Sequence, residues 1–441
     1  MNLAFKKIQE RLSFTEIIYL IFFISLICAF RAVTSISIGL LFVTGILQTR
    51  PTLRSLFLRH PANEFTLLCI LFFLLQLIAL FYTHNMRMGW IDLQLKSGLV
   101  FSPLAVIWMR EQKNDVKERL LWLYCFVLLI ATLYLLYRAA VECLRTGTTA
   151  RLFYHALVAP FGYHAVYFSI LVFVGLAFLL ENLLSGETIF DRPLLISLIC
   201  FLSFFLLLLS SKLILSFYVA YVFYFFIVRA RQDKRFRLIS YTTILVIMSI
   251  SAILLVTRNP ISYRFRDIVH GNINLINQDE FSPSVYFNGI QFRMLQWKLV
   301  PEILNEKHSW WRGVTGGDAQ FILDQKYLSK HMYAGSPGAA GHGYLGYNTH
   351  SQLLESLLQN GIPGLMVFML INFCLLKIMW QQERTSARFI ILLLFIYSLI
   401  ESVFQEQYGI VMFTFLPLFI GQGFYKKTTT SSKTQIQSHY Q

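Results

Sequence analysis

The chain has 441 residues, 56% of them hydrophobic and only 14% charged, with 41 Phe, 22 Tyr and a formal net charge of +15. Soluble globular domains carry about 25% charged residues, so this composition, with a mean hydropathy of +0.58, excludes a water-soluble fold and makes the bilayer the solvent. The basic excess does not point to nucleic acid, because Lys and Arg fall mostly between apolar runs rather than in one folded block.

A helix that crosses a bilayer needs about 20 apolar residues. On that ruler the sequence predicts an all-α polytopic membrane protein with twelve spans, near 14–30, 33–47, 64–82, 89–109, 119–138, 164–184, 193–209, 213–228, 238–257, 361–379, 389–404 and 409–424. The first follows Lys6, Lys7 and Arg11 without a convincing cleavage site, the pattern of an uncleaved signal anchor. With the N-terminus inside, the inner segments and span ends hold 22 of the 38 Lys and Arg residues, which predicts cytoplasmic N- and C-termini. The expected division is 1–257 for helices one to nine, 258–350 for a long, mostly helical outer loop, 351–424 for the last three helices, and 425–441 for a cytoplasmic tail. Five of the six cysteines lie inside apolar segments, so neither disulfides nor a thiolate metal site is expected.

The outer segment from Thr257 to His350 holds ten of the 23 glycines and five of the ten histidines. Trp297, Trp310 and Trp311 argue that it is ordered and rests on the membrane, with a glycine-rich flap over 335–346. After it comes Tyr347-Asn-Thr-His-Ser-Gln-Leu-Leu-Glu355, where Thr349 and Gln352 have capping-box spacing. That spacing predicts a helix with His350 in its first turn, ended by Asn360-Gly361, with Pro363 opening the next helix. At a helix start the dipole disfavours imidazolium and the backbone N–H groups welcome an anion, so a neutral base would sit beside an anion site. The bland alternative is a histidine that merely sits at the membrane interface.

Arg293 shares a helical arc with Ile290, Met294, Trp297, Val300 and Leu304. Its planar fork of donors suits phosphate or carboxylate; a structural ion pair with Asp267, Glu302 or Asp318, or simple snorkelling, would explain it equally. Arg264, Arg266 and Lys212 fall at the outer headgroup level and, with Arg293, could gather around a diphosphate, or each could simply meet lipid headgroups. Lys96, one turn after Asp92, reads as half of an intrahelical ion pair. His155 and His164 flank Pro160-Phe161-Gly162 and are weaker candidates for an acceptor groove. The sequence has no HExxH, Walker loop, Gly-x-Ser-x-Gly or Asp-x-Asp pair.

Asn348-Thr-His350 with Leu353-Leu-Glu355 and Asn360-Gly-Ile-Pro-Gly364, the Arg293-x-x-x-Trp297 element and the Ser210-Ser-Lys212 turn resemble the O-antigen ligase/polymerase superfamily of bacterial inner-membrane glycan enzymes. The likeness is specific over 282–365 and topological elsewhere, and Lys212 stands where many members have Arg. The resemblance implies an inverting glycosyltransferase with no metal and no cofactor. It would take a glycan from undecaprenyl diphosphate at the periplasmic face and join it to the lipid A-core. It also implies His350 as base, and Arg293 with Arg264 or Arg266 as diphosphate ligands. Its partners would be the lipid-linked donor, the lipid A-core acceptor and membrane lipids, with no nucleic acid. An O-antigen polymerase or a protein O-oligosaccharyltransferase fits the same motifs. A twelve-span transporter or flippase fits less well, because ionisable residues gather at span ends rather than near the midplane.

Overall fold

A computed structural model describes residues 12–109, 114–185, 191–232, 273–335 and 342–421, with short pieces at 237–238, 241–245, 249 and 256–257. Its elements are helices, the form in which a lone segment satisfies every backbone polar group in lipid. In chain order they are α1 (Phe14–Ile27), α2 (Arg31–Thr49), α3 (Pro61–Ala79), α4 (Met86–Lys96), α5 (Gly98–Ile107), α6 (Asn114–Thr146), α7 (Ala165–Ser185), α8 (Arg192–Leu209) and α9 (Lys212–Gln232). Then follow α10 (Gly289–Glu306), α11 (Ala319–Ser329), α12 (Gln352–Trp380), α13 (Thr385–Ile400) and α14 (Gln407–Gly421), with a few single turns between them.

Among the described residues, seven helical segments are long and apolar enough to cross a membrane: α2, α3 with its closing turn, α4 with α5, α6, α7, α8 and α12. Helices α1, α13, α14 and the first part of α9 are apolar but shorter. The chain is thus a multi-pass membrane protein. The expected span at 238–257 lies largely outside the described residues, as do the centre of the glycine-rich stretch at 336–341 and the tail from 422 onward.

One large apolar cluster joins the bundle helices, with α3 against α12, α7 against α8, and α14 against α5. A second gathers the 273–335 segment around Phe292, Leu295, Leu299, Leu323 and Tyr327, and reaches Leu354 and Leu358 at the start of α12. Helix α10 starts on a capping box in which Asn288 accepts from the backbone of Ile290 and Gln291 while Gln291 accepts from Asn288. Its core-facing side is Phe292, Leu295, Leu299 and Ile303, whereas Ile290, Met294 and Trp297 are exposed. Val300 and Leu304 of its expected arc are buried all the same, so Arg293 stands at the edge of that core.

Helix α12 carries the break that Asn360-Gly361 predicts. Gly361 has φ 64° and ψ −158° inside it, a conformation in which a Cβ would lie 2.4 Å from the carbonyl oxygen of Trp310. The break and Pro363 leave carbonyls of the preceding turn without helical donors. The loop after α10 supplies them: Val314 N–H donates to Leu358 (2.8 Å) and Thr315 N–H to Gln359 (3.0 Å), while Ile362 N–H donates to Trp310 (2.8 Å). A glycine at 313 is required there, because a Cβ would meet the Gln359 backbone at 2.4 Å. The break is thus the joint by which the 273–335 segment is fixed to the bundle.

The helix start differs from the expectation. Ser351 is the N-cap and α12 begins at Gln352, so His350 precedes the helix instead of lying in its first turn. The Thr349 hydroxyl donates to Glu355 Oε2 at 2.7 Å rather than capping the helix. His350 adopts φ 48°, a left-handed conformation incompatible with a helical turn.

Candidate active site

Three chain regions meet beside His350. The backbone N–H of His350 donates to Asn348 Oδ1 at 3.0 Å, and this turn with the left-handed φ aims the imidazole away from α12 and toward the end of α13. Ser402 grips the same turn, accepting from Ser351 N–H (3.2 Å) and bonding the Thr349 hydroxyl (3.2 Å). Beneath it Glu355 is buried; its Oε2 also accepts from Thr349 N–H (3.3 Å), and its Oε1 accepts from Gln359 Nε2 (2.7 Å) and Gln405 Nε2 (3.3 Å). Gln359 Oε1 in turn accepts from Lys96 (2.5 Å), which is fully buried and paired with Asp92 at 2.7 Å. The intrahelical pair expected at Asp92–Lys96 thus ends a polar chain that supports the turn of His350.

Glu401, in the extended residue just after α13, is shared by the two foremost site candidates. Its Oε2 lies 3.1 Å from His350 Nδ1, and its Oε1 accepts from Arg293 Nη2. Burial acts to raise the Glu401 carboxyl, but the His350 hydrogen bond and the Arg293 charge outweigh it and hold the group below the usual carboxylate range. An ionised carboxylate only accepts, so the bond assigns a proton to His350 Nδ1, and in a neutral ring Nε2 is then the lone-pair acceptor. Arg293 also donates through Nε to the Ile400 carbonyl (2.9 Å) and through Nη1 to the Gly289 carbonyl (2.8 Å). The arginine does have an acid partner, Glu401, and of the acids the sequence suggested the two described ones are engaged elsewhere. Glu302 pairs with Lys326 (2.9 Å) and Lys330 (3.2 Å), Asp318 accepts from the backbone of His84 and Asn85 (2.9 Å each), and Asp267 lies outside the described residues.

A cavity of about 600 Å³ opens at this point, and Arg293, His350, Glu401 and Lys212 all line it. Lys212 arrives there because Ser210 ends α8 with φ 48° and α9 begins directly after Ser211. His155 and His164 line the same cavity, their rings 4.2 Å apart. Arg264 and Arg266 lie outside the described residues. Glu401 is the participant that sequence reasoning missed; its signal was an acid placed straight after the apolar run of residues 390–400.

A histidine, a carboxylate and two cations thus line one cavity of a multi-pass helical protein. Residues 196–369, which span α8 to the first half of α12, match the family model described as O-antigen ligase. The match covers less than half of the chain, and over that stretch the chain is similar to O-antigen ligases. No curated protein matches the chain.

Proposed function

We propose that the protein is an O-antigen ligase of the bacterial inner membrane, transferring a glycan from undecaprenyl diphosphate to a lipid A-core hydroxyl at the periplasmic face, with inversion and without a metal. The observation that carries this reading is the single carboxylate of Glu401 joining His350 to Arg293 on the wall of a cavity that Lys212 also lines.

In the reaction, Nε2 of His350 takes the proton of the acceptor hydroxyl as its oxygen bonds the anomeric carbon. The bond from that carbon to the diphosphate oxygen breaks, and the electron pair leaves with the diphosphate. Glu401 holds the ring in the required tautomer and stabilises the imidazolium that forms. Diphosphate is a good leaving group, so catalysis needs mainly a placed base and positive charge; the remaining N–H donors of Arg293 and the ammonium of Lys212 supply the latter. Arg264 and Arg266 are proposed as further diphosphate ligands. The division into 1–257, 258–350, 351–424 and 425–441, with both termini cytoplasmic, belongs to the same proposal.

The test is deletion of the gene, with lipopolysaccharide resolved on a gel. Loss of the whole capped ladder is the expected result. A single-repeat band would make the enzyme a polymerase, and unchanged lipopolysaccharide with altered glycoprotein would make it a protein O-oligosaccharyltransferase. Purified enzyme should remain active in EDTA; inhibition reversed by Mg²⁺ would overturn the metal-free mechanism.

A further inference from the structure

Beside the catalytic cavity lies a second cleft of about 360 Å³, lined by Ser284, Tyr286, Tyr333, Gly343, Tyr344 and Tyr347 among others. Tyr286, Tyr344 and Tyr347 line both spaces, so the two adjoin. The tyrosines are held by distinct means. The Tyr344 hydroxyl accepts from Phe287 N–H at 2.8 Å, and its ring stacks on Phe292 with centroids 5.2 Å apart. The Tyr347 ring lies 5.6 Å from the ring of His350, and its carbonyl accepts from the Tyr327 hydroxyl at 3.0 Å. Tyr344 N–H donates to the Tyr333 carbonyl at 2.8 Å. That crossing needs glycine at 343, where φ is 61° and a Cβ would lie 2.0 Å from the Tyr333 oxygen. Tyr286 reaches outward, 71% exposed.

We propose that this four-tyrosine cleft binds a pyranose ring of the glycan and guides it toward His350; the proposal rests on the glycosyl-transfer reading above. A pyranose has a flat face of C–H groups and a rim of hydroxyls. A tyrosine offers the matching pair, an apolar ring face and a hydroxyl that both donates and accepts. Among the described residues the lining has no Lys, Arg, Asp or Glu, which favours a neutral ligand over the charged diphosphate that the neighbouring cations suit. The volume falls near the lower end of ligand-sized pockets, about 300–1,000 Å³, and accommodates a short run of sugar rather than a long chain. The sugar can come from the acceptor core or from the donor repeat, whose ring chemistry is shared.

The test is direct binding to the full-length protein in nanodiscs, in a His350→Ala background that prevents turnover. The probes are delipidated core oligosaccharide and delipidated O-antigen polysaccharide from the source bacterium, read by saturation-transfer NMR and calorimetry. At least one probe should bind. Adding Tyr286→Ala and Tyr333→Ala should weaken it about fivefold or more, whereas Tyr286→Phe, which keeps the ring face, should retain most of the affinity. Binding of core assigns the cleft to the acceptor, and binding of O-antigen assigns it to the donor. If neither glycan binds, or the double variant binds as tightly as its parent, the cleft is not a sugar site. Tyr286→Ala alone, at an exposed position, repeats the measurement should the double variant fold poorly. Transfer by the wild-type enzyme is assayed separately, so sugar binding without transfer overturns the catalytic reading and leaves the cleft standing.

Discussion

Two carboxylates, Glu401 and Asp318, are both held below the usual carboxylate range, yet they sit in opposite kinds of surroundings. Burial acts to raise Asp318, and the backbone N–H groups of His84 and Asn85 with the Thr315 hydroxyl outweigh it. Backbone amides and a hydroxyl are not acids or bases near neutral pH, and the His84 ring lies 3.4 Å away. Asp318 lines neither space around His350; it clamps the 313–318 loop to the start of α4. The partners of Glu401 are an imidazole and a guanidinium on a cavity wall. A depressed carboxyl is therefore no sign of chemistry by itself. What distinguishes a working carboxylate is that its partners have a second side turned to open space.

The widest separation between the two regions is expected at His350. His350→Ala should lower transfer by about 100- to 10,000-fold while expression and membrane insertion stay normal, because only the base is lost; near wild-type turnover would remove His350 from the mechanism. Arg293→Lys keeps the charge but loses the fork, and transfer should fall about 100-fold. Full activity in that variant would reduce Arg293 to an ion-pair role. Glu401→Gln removes the tautomer control and should cost about 10- to 100-fold, mostly in kcat with a small change in acceptor KM. Asp318→Ala should show the opposite profile: about 1–3 kcal/mol of stability lost through orphaned backbone donors, seen as a lower Tm, with turnover per folded molecule preserved. A loss of turnover at unchanged Tm would erase the contrast between the two acids.

The smallest effect is in pH dependence. Glu401 titrates lower in the folded protein than a free carboxyl, whose value is about 4.3. Its stabilising contribution is therefore complete above that pH and disappears only as pH falls through the lower folded value. The Tm gap between wild type and Glu401→Gln should persist through neutral pH and narrow only below about pH 4. A gap that closes near neutrality would mean that Glu401 is not held ionised by its partners.

Much of the scaffold was legible in local sequence. The apolar runs marked the helices, because length and hydropathy are properties of a contiguous segment. Asn360-Gly361-Ile-Pro363 marked the break in α12, because a left-handed glycine and a missing N–H act on their own neighbours. The start of α12 was misread for the converse reason. Thr349 and Gln352 have capping-box spacing, but the Thr349 hydroxyl is drawn to Glu355 and Ser402, partners that a local pattern does not weigh. The arc assigned to Arg293 held only in part, with Val300 and Leu304 buried but Ile290, Met294 and Trp297 exposed, since which side of α10 is buried depends on α11 and α12 rather than on α10.

Residue order pointed to a bilayer as this chain's solvent, placed its distinctive polar residues in the expected outer segment 258–350, and singled out His350 and Arg293 as groups worth testing. It did not settle which acid joins them, which ring nitrogen carries the proton, or that Lys212 faces the same cavity. Glu401 lies 51 residues beyond His350 and 108 beyond Arg293. A hydrogen bond acts over about 3 Å, so only the packing of helix ends, set by many apolar contacts at once, brings these side chains within reach of one another.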